Sequence, residues 1–336
     1  MEENVTPLIK IQNKGGIIMP SFPKPTFTFN YNANTEINAL RHYRDNEQDR
    51  KIPAKSNNRL LIATWNIANL GLQQRKPNDY KVIAEMISWF DIIALQEVND
   101  NLSGLRFILK NLSNSYKTLF SDKAGNEERM AFIYDSNKIS LLEKVGEIAV
   151  PPKEIKHIKL KGINRKFNGF DRNPFLASFK ARNFEFILVN VHLFFGKDKK
   201  ADRDRRSLEA YATSRWADLR RDDKHAYVSD IIALGDFNLP KIEKGDPIYD
   251  ALRKRGLRIP EHTSLVGSTL VNDKHYDQIM FFPGKTKQEF TGNHGIFDFD
   301  GAIFSKLWED KTPAQFRSFV RYYISDHRPM WAEFKI

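Results

Sequence analysis

Leu60-Leu61-Ile62-Ala63-Thr64-Trp65 is a short run of apolar and β-branched residues with polar flanks, the pattern of a buried strand. Beyond it Val82, Ile83, Met86, Ile87 and Phe90 recur at helical spacing, and residues 92–95 repeat the strand pattern. Further along, residues 130–134, 139–148, 175–179 and 184–191 read as strands of a meander. Residues 203–224 read as a long helix with Leu208, Tyr211, Ala212, Trp216 and Leu219 inward and its arginines outward. Strands return at residues 228–234, 278–282 and 330–334. Strands that both alternate with helices and follow one another directly imply mixed sheets. About a dozen strands are too many for one open sheet, so two packed sheets are expected. The reading is one α+β domain over residues 58–336, preceded by an N-terminal arm, residues 1–57, that carries Pro20, Pro23, Pro25 and a helix near residues 35–49.

Composition narrows the chemistry. The 336 residues are 41% hydrophobic and 28% charged, which suits a globular chain, and the absence of cysteine excludes disulfides, thiolate metal sites and a cysteine nucleophile. The net charge is +11, and residues 151–225 hold nineteen basic against ten acidic residues. That concentration points to a polyanionic partner, although a solvated surface produces the same count. No stretch is apolar enough to span a bilayer, and the acidic N-terminus lacks the apolar core of a secretory signal. A cytoplasmic location is the default expectation, with a mature secreted chain as the other possibility.

The polar residues that end the apolar runs carry the function. Asn66, Glu97, His192, Asp236 with Asn238, Asp277, and Asp326 with His327 all stand where a rigid sheet hands over to a loop. Taken singly, Asn66 and Asn238 suit turns, His192 suits a core position, and Glu128 beside Glu127 suits a solvated charge pair. Together, carboxylate and amide oxygens without thiols form a hard-ligand set suited to Mg²⁺ or Mn²⁺. Such a set with two imidazoles fits phosphoryl transfer, where a metal stabilises phosphate charge and a base activates water. His157, His225, His262, His275 and His294 match no such pattern.

Thr64-Trp65-Asn66-Ile67, Leu95-Gln96-Glu97-Val98, Val191-His192, Gly235-Asp236-Phe237-Asn238, Tyr276-Asp277-Gln278-Ile279 and Ser325-Asp326-His327-Arg328-Pro329 resemble, in order, the motifs of the endonuclease/exonuclease/phosphatase superfamily. Within it the segment from Glu128 to Tyr134, Arg172-Asn173-Pro174 and Phe297-Asp298-Phe299 are similar to deoxyribonuclease I. The resemblance implies a four-layer α/β/β/α sandwich, two mixed sheets face to face with helices outside. It implies that Asn66, Glu97 and Asp326 hold the metal. By the same resemblance Asp236 orients or deprotonates water, Asn238 bonds a phosphate oxygen, and His192 and His327 flank the phosphorus, oriented by Glu128 and Asp277. Which histidine is base and which acid is left open. Arg172 is the implied phosphate contact, and Lys161, Arg165 and Lys166 before it are read as substrate-binding cations. A second cluster, Lys197, Lys199, Lys200, Arg203, Arg205 and Arg206, is read the same way. Asn99 and Asn126 stand where deoxyribonuclease I has its groove-reading arginine and sugar-stacking tyrosine, so groove engagement should differ.

The expected activity is Mg²⁺-dependent phosphodiester hydrolysis, a DNA endonuclease of low sequence specificity acting as a monomer with no protein partner implied. The alternatives are a phosphatase or phosphodiesterase of the same superfamily acting on a lipid or small phosphate ester, and an inactive binding module.

Overall fold

Eleven strands and nine α-helices form where apolar runs and amphipathic stretches dictate, in a computed structural model that describes residues 22–197, 199–260, 266–271 and 274–336. Residues 1–21 of the expected arm, Pro20 included, and His262 lie outside the described residues. The order is α1 (Ala33–Asn46), β1 (Arg59–Leu70), α2 (Pro77–Ser88), β2 (Ile92–Asn99), α3 (Ser103–Leu109), β3 (Tyr116–Phe120), β4 (Glu128–Asp135) and β5 (Ser140–Glu147). There follow α4 (Pro152–Ile155), β6 (Phe175–Ala181), β7 (Phe184–His192), α5 (Lys200–Arg221), β8 (Ile231–Asp236) and α6 (Pro247–Arg253). The chain closes with β9 (Asp277–Phe281), α7 (Lys285–Glu289), β10 (Phe290–Ile296), α8 (Ser305–Asp310), α9 (Pro313–Tyr323) and β11 (Met330–Lys335).

One sheet has the order β10-β11-β1-β2-β4-β3 and the other β5-β6-β7-β8-β9. Both are mixed: β1 runs parallel to β2 and β7 parallel to β8, while the remaining pairs are antiparallel. Their inner faces interlock through Leu60, Ile62, Phe132, Phe179, Phe186, Leu188, Leu234 and Phe334, all buried. The outer face of the six-stranded sheet is covered by α2, α9 and the arm, and that of the five-stranded sheet by α5 and α6. This is the expected four-layer sandwich.

A polar tie crosses the middle layer. Gln96 on β2 donates to Asn190 Oδ1 on β7 at 2.7 Å, and Asn190 Nδ2 donates to the Leu95 and Ala131 carbonyls at 3.0 and 3.1 Å. Both side chains are fully buried, so a satisfied network fixes the two sheets against sliding.

Residues 22–57 lie along the main sandwich. Phe27, Phe29 and Tyr31 stack on Phe319 and Phe304, with ring centroids 4.7 to 6.1 Å apart. On α1, Glu36 accepts the Phe304 amide at 2.7 Å and Arg41 makes a two-pronged pair with Glu85.

Some local expectations are corrected. The strands β3 and β10 escaped the sequence reading because each mixes polar, half-exposed residues at a sheet edge. On α5, Leu219 is exposed and Trp216 half-buried rather than inward, while Arg206, expected outward, is 1% exposed.

Candidate active site

The site forms where the two parallel strand pairs end side by side. At the ends of β1 and β2 the ladder is irregular between Asn66 and Leu70 and between Leu95 and Val98. There Glu97 takes a φ of +59°, a strained conformation for a residue with a Cβ, which turns its carboxylate into the cleft. Asn69 N–H donates to Glu97 Oε2 at 2.8 Å. Asn66 Nδ2 donates to Glu97 Oε1 at 2.9 Å and to Asp236 Oδ2 at 3.1 Å, clamping carboxylates from the two sheets together. An amide between two carboxylates must present its nitrogen to both, which leaves Asn66 Oδ1 buried without a hydrogen-bond partner. Ser325 Oγ donates to the Asn66 carbonyl at 2.7 Å and accepts from Ala68 and His327 amides, tying the loop before β11 to β1.

The other half comes from β7, β8 and β9. Gly235 has a φ of +134°, and a Cβ there would stand 2.1 Å from the Val191 carbonyl oxygen, so only glycine lets β8 approach β7. That approach pairs His192 with Asp236 in register, and Asp236 with Asp277 across to β9. His192 Nε2 lies 3.7 Å and His327 Nε2 4.0 Å from the same atom, Asp236 Oδ2. His327 Nδ1 is held by Asp277 Oδ2 at 2.7 Å. His192 Nδ1 faces Glu128 Oε2 at 3.3 Å, an ion-pair distance off the line of a hydrogen bond. Asn238 N–H donates to Asp236 Oδ1 at 2.8 Å and its Nδ2 to the Leu193 carbonyl at 2.7 Å. Asp326 is half-buried at the rim beside His327.

The electrostatics follow from burial and neighbours. Burial, reinforced by Glu128, raises the Glu97 carboxyl above its ordinary value. At Asp236 burial acts in the same direction, but His327 and His192, with the Asn238 and Asn66 hydrogen bonds, outweigh it and hold the group low. Burial pushes Asp277 up to about 6 against the pull of His327. His327 is lifted well above an ordinary imidazole because Asp277, Asp236 and Asp326 outweigh its desolvation. Glu128 is held low, His192 and Arg172 overcoming burial.

Two groups have the chemistry of a cation site. Asp236, Asp277 and His327 offer ligand atoms within 4.8 Å of one another. There Asp277 Oδ2 is taken up by the His327 Nδ1 hydrogen bond, so a cation held by all three residues would have to compete with that bond. Glu97 with the unpartnered Oδ1 of Asn66 is the hard, oxygen-only alternative that fits Mg²⁺ or Mn²⁺.

Asn66, Glu97, Glu128, His192, Asp236, Asn238, Asp277, Asp326 and His327 therefore converge in one cleft, although hundreds of residues separate some of them. Arg172 sits behind it rather than in it. It is 3% exposed and donates to the His192 and Leu193 carbonyls at 3.1 and 3.2 Å, with Glu128 3.6 Å away. Lys161, Arg165 and Lys166 have no contact with the cluster; they are exposed on a loop pinned by buried Ile158 and Phe167. The second basic cluster is corrected in part. Arg206 donates to the Phe194, Phe195 and Asn238 carbonyls at 2.9, 2.5 and 2.9 Å, and Arg205 pairs with Asp171 and Glu209. Buried Glu209 accepts the Phe194 amide. These anchors of the loops after β7 and β8 were missed because charged residues on a helix read as solvent-facing.

Comparison with known proteins places the fold. No family model matches the chain. An endonuclease/exonuclease/phosphatase family protein from Bacteroides thetaiotaomicron superimposes with a TM-score of 0.52 at 20% identity, covering 83% of this chain and 95% of that one. D. rerio TDP2, solved with a single strand DNA product, gives 0.53 at 15% identity over 83% of this chain and 99% of its own. The chain has the fold of the endonuclease/exonuclease/phosphatase family. In sequence it is similar to a protein of Thioalkalivibrio sp. (strain K90mix) named Deoxyribonuclease, 27% identical over 291 residues, which are 82% of this chain and 71% of that one.

Proposed function

We propose that this protein is a divalent-metal-dependent hydrolase of phosphodiester bonds whose substrate is DNA, cut with little sequence preference. The observation that carries the reading is the aim of two imidazoles, His192 and His327, at one carboxylate oxygen, Asp236 Oδ2, which Asn66 bridges to Glu97. Glu97 and Asn66 Oδ1 would hold Mg²⁺ or Mn²⁺, with Asp326 at the rim. A cation there supplies positive charge to phosphate oxygens.

The protein's own groups supply the rest. Asp236, held low and faced by both imidazoles, orients the attacking water. Asn238 has a second amide hydrogen, beyond the one given to Leu193, to offer a phosphate oxygen. His192, backed by Glu128, and His327, backed by Asp277, flank the phosphorus, one assisting deprotonation of water and the other countering charge or protonating the leaving oxygen. Arg172 acts on the site through the His192 carbonyl and Glu128, a positioning rather than a phosphate-binding part. A polymeric anion is favoured by the net charge of +11, by the exposed Lys153, Lys156, Lys159, Lys161, Arg165 and Lys166, and by likeness to the protein named Deoxyribonuclease. No helix of the described residues is long and apolar enough to cross a membrane.

The test is incubation with supercoiled plasmid, single-stranded DNA, RNA and para-nitrophenyl phosphate, each with Mg²⁺ and with EDTA. Plasmid nicking in Mg²⁺ only, abolished in H192A and D236N, is expected. Nicking that survives both substitutions, or turnover of the phosphomonoester alone, overturns the reading.

A further inference from the structure

Beside His327 a groove of about 550 Å³ runs between α9 and residues 269–271, 274 and 276. One wall is Arg317, Ser318 and Arg321 of α9; the other is Thr269, Lys274 and Tyr276; the floor is Asp326 and His327. Its size is that of a site for one nucleotide-sized group. Arg317 and Lys274 form no ion pair among the described residues and Arg321 acts on Asp326 only from beyond ion-pair contact, whereas the arginines behind the active site are engaged by carbonyls or carboxylates. Arg321 is held in place by the Phe22 ring, 4.7 Å from its guanidinium carbon, and its buried Nε has no hydrogen-bond partner. Three cations converging on one groove, with Asp326 as the carboxylate in the lining, leave a net demand for anionic oxygens.

We infer that this groove binds phosphate groups that flank the scissile one on the His327 side, so that the substrate is a nucleic-acid strand rather than an isolated phosphate ester. The inference rests on the hydrolase reading above and adds to it the direction of the strand's path. The groove reaches His327, whose Nε2 stands 4.0 Å from Asp236 Oδ2, so a phosphate in it neighbours one held at Asp236. A chain of phosphates running from Asp236 past His327 enters the groove and meets Arg317, Arg321 and Lys274. An isolated phosphate ester at Asp236 leaves those cations unused.

Equilibrium binding tests this without turnover. An end-labelled single-stranded oligonucleotide is titrated in EDTA at several salt concentrations against wild type, R317E, the K274E/R317E double variant, R317K and K335E. Arg317 is exposed, so R317E should fold, which circular dichroism checks. Loss of two phosphate contacts should weaken binding at least about tenfold and flatten the log–log salt slope by about 1.4, from roughly 0.7 per contact on a single strand. R317K should restore most of the slope, and K335E, on the remote strand β11, should leave it unchanged. Steep wild-type binding that K274E/R317E leaves intact overturns the groove assignment and spares the hydrolase reading. Wild type that binds vesicles of anionic lipid and not the oligonucleotide overturns both.

Discussion

N66D keeps the shape of a side chain and exchanges one group, an amide for a carboxyl. Asn66 Nδ2 now donates to Glu97 and Asp236 at 2.9 and 3.1 Å. Each hydrogen bond to an ionised acceptor is worth about 1.5–3 kcal/mol, so the loss of both removes about 3–6 kcal/mol. A third ionised carboxylate at such distances would add repulsion of up to about 5 kcal/mol per pair at an effective dielectric of ~20. The introduced carboxyl avoids this by keeping a proton, which it then donates to one neighbour. The net destabilisation near pH 7 is about 3–5 kcal/mol. The sign with pH follows. The introduced group's folded-state pKa lies above its unfolded value of about 3.9, so the folded state holds the proton more tightly. The deficit of N66D is therefore smallest below the unfolded value, grows as pH rises, and levels off above the folded value. Urea denaturation of N66D and wild type in EDTA at about pH 5 and pH 8 measures it, and added Mg²⁺ should narrow the gap because the extra carboxylate makes the native state of N66D bind the ion more tightly than that of wild type. A deficit below about 1 kcal/mol, the same at both pH values, refutes the assignment of Asn66 as a donor between two carboxylates.

Three further outcomes are expected. D277N replaces the charged acceptor that orients and charges His327 with a neutral amide that can also present its NH₂ to Nδ1, and plasmid hydrolysis should fall by about 10²–10⁴ with the urea midpoint little changed; equal activity would remove Asp277 from the mechanism. R206M should cost about 3–5 kcal/mol in urea denaturation, since the buried Asn238 carbonyl and the part-buried Phe194 and Phe195 carbonyls lose a charged donor; a cost under about 1 kcal/mol would mean water replaces it. G235A, with its Cβ against the Val191 carbonyl, should destabilise by about 3 kcal/mol or more, and a crystal structure should show β7 and β8 spread apart at His192 and Asp236.

The convergent cluster was legible because each member ends an apolar run, so pattern and chemistry coincide at the same residue. The sandwich was legible for the same reason: strands buried on both faces leave an unmistakable apolar record, as at Ile231–Asp236. Edge strands such as Tyr116–Phe120 leave none, since one side faces solvent and their polar residues mimic a loop. The amphipathic reading failed at Arg206 because it assigns charge to the outside, whereas a guanidinium can be buried when loop carbonyls supply its acceptors. Asn190 lay hidden likewise, an amide inside an apolar strand whose partner is on another sheet. Arg172 was expected to contact phosphate; the coordinates show its Nε and Nη2 donating to the His192 and Leu193 carbonyls, partners that a sequence does not reveal.

The route of the chain has a biosynthetic consequence. All five strands of one sheet are made as an uninterrupted excursion between β4 and β10, and the last strand, β11, returns to pair with β1, near the other end. Asp326 and His327 arrive only with that closing step. A partly translated chain thus carries Glu97, His192 and Asp236 without His327, the second imidazole, which stands 4.0 Å from Asp236 Oδ2.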